Sequence, residues 1–135
     1  MMRYVFDASS IVNLIKRGRT KIFAEGITLD LALYESINAI WKECVLLKRI
    51  DIDTAQKFVE IINKVFKVIK LVSITGLEEE VFTLALKESI TVYDASYMYV
   101  AMRDNLILVT DDQKLRSKAS RYVKAIPSSE VICLG

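Results

Sequence analysis

Four acidic residues, Asp7, Glu35, Asp94 and Asp112, lie far apart along the chain, yet each stands where an apolar strand ends or within the first turns of a helix. That placement lets them converge, and a carboxylate cluster is a site for a hard cation. The chain contains no histidine, which removes the commonest general base and the commonest transition-metal ligand from any mechanism. Oxygen-ligated Mg²⁺ or Mn²⁺ remains. Each acid also has a plainer reading. Asp7 and Asp112 precede helices, where a carboxylate caps free N–H groups and meets a favourable dipole. Asp94 lies three residues after Thr91, as the far member of a capping arrangement, and Glu35 reads equally as a solvated helix residue. Missing counter-charge favours the shared site. Glu35 and Asn38 share a helix face with no lysine or arginine beside them, and Asp94 is followed on its helix by Tyr97 and Met98. Uncompensated carboxylates beside apolar residues need a cation or a proton.

The elements that must position these acids are legible as apolar runs alternating with helical periods. Tyr4-Val5-Phe6 reads as a buried strand ending at Asp7, and Ile11, Leu14 and Ile15 mark one face of a helix closed by Gly18. Ile27 to Leu29 reads as a second strand. Ile37, Ile40, Trp41, Cys44 and Leu47 predict a helix from Leu31 to about Lys48 with that face buried, and Phe58, Ile61, Ile62 and Val65 predict another over Asp53 to Val68. Leu71 to Ile74 is a third strand, and Thr75 with Glu78 has capping-box spacing for a helix running to about Ser89. A helix over Tyr93 to Arg103, a strand over Leu106 to Thr110, a short helix over Lys114 to Ser120 and a strand over Val123 to Ile126 complete the pattern. Parallel neighbours need crossover connections, so this alternation predicts an α/β sandwich with a parallel sheet covered on both faces. In such sheets ligands bind beyond the carboxyl ends of the strands where strand order reverses. Asp7 and Asp112 would project into that crevice.

At 135 residues, 53% of them hydrophobic, the chain has the length and apolar content of one domain spanning residues 1–135. No Pro/Gly/Ser-rich linker, internal repeat or low-complexity tract divides it, and Pro127 is its single proline. A balance of 19 basic against 17 acidic residues gives +2, so a polyanionic partner must be met by local patches. Cys44 and Cys133 match neither a metal-site spacing nor a disulfide framework and are expected as reduced core residues. No run approaches the roughly 18 apolar residues of a membrane span, and the first residues carry no extended apolar signal region. A cytoplasmic location is the expectation.

Taken together, Asp7-Ala8-Ser9 after the first strand, Glu35-Ser36-Ile37-Asn38-Ala39 on a helix, Tyr93-Asp94-Ala95 opening another and Thr110-Asp111-Asp112-Gln113-Lys114-Leu115 after a strand resemble the four acidic motifs of PIN domains. In order, spacing and length the chain is most similar to the small VapC-type toxins. The resemblance covers nearly the whole sequence. It implies a five-stranded parallel sheet with helices on both sides, Asp7, Glu35, Asp94 and Asp112 as metal-site acids, and Ser9, Asn38 and Thr110 as polar support. Asp111 stays open: family spacing favours Asp112, and the neighbour could substitute or assist. The resemblance further implies an RNA substrate, a homodimer, and inhibition by a VapB-type antitoxin, for which an apolar groove near Ile11, Leu14 and Ile15 is the expected dock.

The chemistry expected of such a site is metal-dependent endoribonuclease activity. Asp7 and Asp94 are expected to ligate the principal ion, Glu35 to orient or deprotonate the attacking water, and Asp112 to bind through water or help a second ion. Attack by water rather than by the ribose 2′-oxygen leaves a 5′-phosphate and a 3′-hydroxyl. Lys16, Arg17, Arg19 and Lys21 form one basic cluster, and Lys114, Arg116, Lys118, Arg121 and Lys124 another. Both can hold RNA phosphates beside the crevice or simply form solvated faces. Tyr93, Tyr97, Tyr99 and Tyr122 invite base stacking, although Tyr97 and Tyr99 cannot face the same way on one helix. Two other readings are a PIN nuclease that matures ribosomal RNA without an antitoxin, and a non-catalytic PIN-like interaction module. Retention of all four acids argues against the second.

Overall fold

The first strand sets the frame. Tyr4–Phe6 (β1) is buried throughout, and as the central strand of the sheet it must be apolar on both faces. The structure, a computed structural model, describes residues 2–133. Among these, five parallel strands pair in the order β3-β2-β1-β4-β5, with β2 at Gly26–Leu29, β3 at Lys70–Val72, β4 at Ile107–Val109 and β5 at Ala125–Ile126. β1 lies between β2 and β4, with Phe6 beside Val109 in register. Strand order therefore reverses between β1 and β4, and the crevice beyond their carboxyl ends begins at Asp7 and Thr110.

Six α-helices connect the strands: α1 (Ala8–Lys16), α2 (Leu31–Trp41), α3 (Ile52–Val68), α4 (Glu78–Glu88), α5 (Val92–Asp104) and α6 (Gln113–Ala119). Right-handed crossovers that run outward from β1 to β3 put α1, α2 and α3 on one face. Those that return through β4 to β5 put α4, α5 and α6 on the other. The packing agrees, with α1, α2 and α3 in mutual contact and α4 against α5, which rests on β1 and β4. Gly26 opens β2 because nothing larger fits: a Cβ there would stand 2.3 Å from the Phe6 ring and 2.9 Å from the Tyr4 carbonyl oxygen. The fold expected from the sequence is the fold found.

Several local expectations are corrected. The predicted helix from Leu31 to Lys48 ends at Trp41 and continues as one π-helical segment, Lys42–Leu46. Its wider turn rotates the residues that follow. Ile40 is buried as expected, but Ile37, Trp41 and Leu47 are exposed, as are Val45 and Leu46. Much of the face read as core is a surface. Thr75 and Glu78 form no capping box: Thr75 bonds Ser73, Glu78 accepts from the Gly76 amide, and α4 starts after Leu77 without a side-chain cap. Cys133 is exposed rather than core, its thiol donating to Glu25 at 3.1 Å, and Cys44 is half-buried against the core. Ile11, Leu14 and Ile15, near which a docking groove was expected, are all buried and present no apolar surface. No helix among the described residues is long and apolar enough to cross a membrane.

Candidate active site

Asp7 is the fixed point of the crevice. It follows β1 directly and is the N-cap of α1, its Oδ1 accepting from the Ser10 amide at 2.9 Å and the Ser9 hydroxyl at 2.8 Å. Its Oδ2 accepts from the Thr110 hydroxyl, 2.5 Å away at the end of β4. The capping reading of Asp7 holds, at a position directly beyond the end of β1. Burial raises its pKa above the ordinary carboxylate value, although the bonds from Thr110, Ser10 and Ser9 pull the other way.

Asp112 and Asp111 part company after β4. Asp112 is exposed and N-caps α6, with one oxygen accepting from the Leu115 amide at 3.1 Å. Its own amide bonds the Thr110 hydroxyl. Asp111 turns away. Its carboxylate accepts from the Asn13 amide group at 2.7 Å, the Ser128 hydroxyl at 2.6 Å and the Ser128 amide at 2.8 Å, and its own amide donates to Ser9. Burial pushes the Asp111 pKa up, but the Ser128 and Asn13 bonds and the Arg17 charge outweigh it and leave it lowered. Asp111 is thus a strut between the β4–α6 turn, α1 and the segment after β5.

Asp94 and Glu35 reach the crevice from opposite faces of the sheet. Thr91 caps α5 through a bond from the Asp94 amide to its hydroxyl, while the Asp94 side chain makes no hydrogen bond among the described residues. The capping spacing is therefore real, and it leaves the carboxylate free. Half-burial, then the charges of Asp112, Asp7 and Glu35, push its pKa up to about 6. Glu35, on α2, accepts from the Tyr97 hydroxyl at 2.7 Å. Tyr97 itself is almost wholly buried, so its ring packs in the core and does not stack on bases; burial and then the bond to Glu35 raise its pKa.

All four acids thus share one electrostatic neighbourhood, and none of them forms an ion pair among the described residues. As placed, no three carboxylates among those residues stand close enough to hold one ion. Asp7 and Asp112 are turned by their helix caps and Glu35 by Tyr97, so the arrangement is a convergence rather than a closed cage. A set of oxygens with no counter-charge and no softer donor suits Mg²⁺ or Mn²⁺.

Of the expected supporting groups, Ser9 and Thr110 are in place on Asp7, whereas Asn38 is exposed and forms no side-chain hydrogen bond among the described residues. The basic residues are largely engaged. Lys16 pairs with Glu43, Arg17 bonds Ser128, Arg19 bonds the Val131 carbonyl, and Arg116 bonds the Thr110 carbonyl. Farther along, Lys118 and Arg121 bind Glu88. Lys114 is exposed and has no such partner among the described residues. Sequence reasoning missed Asn13, Ser128 and the Tyr97–Glu35 bond. Nothing local marks the first two, because their acid partner is 98 and 17 positions away.

No protein-family model matches the chain. Its curated relatives decide the family. Exonuclease VapC9 of Pyrobaculum aerophilum is 34% identical over 123 residues, covering 87% of this chain and 86% of the relative. Ribonuclease VapC3 of the same organism is 35% identical over 127 residues, covering 87% and 95%. The chain belongs to the VapC family. A solved structure, PAE2754 from Pyrobaculum aerophilum, superposes with a TM-score of 0.77 at 34% identity over 95% of this chain and 92% of that one. The PIN-like fold expected of a VapC protein is thereby matched across nearly its whole length.

Proposed function

We propose that this VapC protein is a metal-dependent endoribonuclease, the toxin of a toxin–antitoxin pair. The observation that carries the reading is the set of four carboxylates with no cationic partner among the described residues, in which the charges of Asp112, Asp7 and Glu35 add to burial in raising the Asp94 pKa. Asp7 and Asp94 would hold Mg²⁺ or Mn²⁺, with Asp112 completing the set by a side-chain rotation that its exposure permits. When bound, the ion supplies positive charge at the phosphoryl oxygens and acidifies water. Glu35, held by the Tyr97 hydroxyl, would accept the proton of the attacking water. Thr110 and Ser9 keep Asp7 in one rotamer. Asp111 fixes the turn that presents Asp112. Lys114 stands two residues past Asp112 on the rim and is the cation we assign to an RNA phosphate.

The antitoxin reading is supported by the unexpected apolar surface between α2 and α3. Ile37, Trp41, Cys44, Val45 and Ile52 line a groove of about 500 Å³ there, with Ala55 and Val59 as its floor. We assign this groove, in place of the buried α1 face, to an apolar segment of a VapB-type antitoxin.

One curated relative is named an exonuclease and the other a ribonuclease, so the test must separate end-dependent from internal cutting. A circular RNA incubated with Mg²⁺ or Mn²⁺ should be linearised, with 5′-phosphate and 3′-hydroxyl ends. Degradation of linear RNA alone would refute the endonuclease reading, and a cyclic phosphate end would refute attack by water.

A further inference from the structure

Glu35 is held more sparingly than Asp7 or Asp111, and its one partner is a side chain from another helix. Asp7 has three side-chain or amide donors and Asp111 three, whereas the Glu35 carboxylate has a single hydrogen bond among the described residues, from the Tyr97 hydroxyl at 2.7 Å. A glutamate on a helix has three rotatable side-chain bonds, so without a partner it samples several rotamers. The Tyr97 ring cannot follow it, being 2% exposed between α5 and the sheet. Tyr97 also lies one turn after Asp94 on α5. One helix therefore presents an acid to the crevice and, a turn later, the donor that orients a second acid arriving from α2 on the opposite face of the sheet.

We infer that Tyr97 is a positioning residue for the reaction: its hydroxyl holds one oxygen of Glu35 and leaves the other free for the attacking water. This rests on the role assigned to Glu35 above. The bond spans 62 positions of sequence and joins the two helical layers across the strand ends. Tyr97 therefore sets both the rotamer of Glu35 and its distance from Asp94. Small errors in the placement of a proton acceptor cost rate rather than substrate affinity. Tyr97, almost wholly buried, acts on the reaction through Glu35.

The test is Tyr97→Phe, which removes one oxygen and keeps the ring. At saturating RNA and Mn²⁺ its kcat should fall about ten- to hundred-fold. KM for RNA and the Mn²⁺ dissociation constant, read by calorimetry without RNA, should each stay within about three-fold, because Asp7 and Asp94 are untouched. Adding Tyr97→Phe to Glu35→Ala should lower kcat no further, since a residue that acts through another has nothing left to position. Should Tyr97→Phe melt below the assay temperature, Glu35→Asp withdraws the carboxylate from the same hydroxyl, and an equal loss of kcat is expected. Wild-type kcat in Tyr97→Phe, or a further ten-fold loss in the double variant, would overturn the inference. If Glu35→Ala itself cleaves at the wild-type rate, it is the role of Glu35 that fails, and the inference falls with it.

Discussion

Removing the charge of Asp94 should stabilise the metal-free protein, and by an amount that depends on pH. The Asp94 carboxyl titrates at about 6 in the folded chain against an ordinary value of 3.8. Burial is the first cause, followed by the charges of Asp112, Asp7 and Glu35. Because the folded state holds this proton more tightly than the unfolded chain, stability falls as pH rises from about 4 to 6, and the full penalty persists above that window. Taken at face value the gap is worth about 3 kcal/mol. Asp94 is only half-buried, so solvent screening reduces the figure to about 1–2 kcal/mol. The substitution Asp94→Asn would also lose a favourable charge in the first turn of α5, worth about 0.5 kcal/mol, while the Thr91 cap survives because it uses the backbone amide. The net expectation for this variant in EDTA at pH 7.5 is a gain of about 1 kcal/mol, or about 3–4 °C in Tm, shrinking to nothing or reversing near pH 4. Urea denaturation at both pH values with unchanged m reads it directly. A loss of 1 kcal/mol or more at pH 7.5 would refute the reasoning, since it would mean that the carboxylate is held by a favourable partner instead of crowded by like charges.

Other variants separate the struts from the site. Thr110→Val leaves the buried Oδ2 of Asp7 without its donor and should cost about 1–3 kcal/mol by urea melt; an unchanged midpoint would deny that bond its role. Asp111→Ala strips partners from Asn13 and Ser128 and should cost about 2 kcal/mol. Asp112→Asn should stay within about 0.5 kcal/mol because asparagine also caps α6, yet it should lose activity; the reverse order of stabilities would exchange the roles of the two aspartates. Gly26→Ala forces a methyl into the Phe6 ring and should destabilise by about 2 kcal/mol or more, readable as a lower Tm.

The sequence carried the sheet because β1, β2 and β4 are short apolar runs closed by polar residues, and only a parallel sheet buries such runs on both faces. It showed Asp7 for the same reason, as the first polar side chain past β1, and Asp112 as one of the two acids that follow Thr110 in the turn after β4. Where it failed, the deciding contacts were remote or the helical period broke. Ile37 and Trp41 are exposed already within the regular turns of α2, and the helical period then breaks at the π-helical segment Lys42–Leu46; periodicity marks an apolar face but not whether anything covers it, so part of a stripe predicted as core lines a surface groove. The choice between Asp111 and Asp112 needed Asn13 and Ser128, which only the folded chain brings to Asp111. Tyr97 was visible as one of the four tyrosines considered for base stacking, but its partner 62 residues away was not. Asn38 shows the opposite error: helical spacing put it beside Glu35, but the side chain lies exposed to solvent.

The most direct measurement of whether these acids form one cation site is a Mn²⁺ titration of the RNA-free protein followed by electron paramagnetic resonance. Wild-type protein should take up Mn²⁺ at a saturable site that EDTA empties, Asp7→Asn and Asp94→Asn should each abolish that uptake, and RNA cleavage should stop in EDTA. Cleavage that continues undiminished in excess EDTA, or Mn²⁺ uptake indifferent to both substitutions, would contradict it.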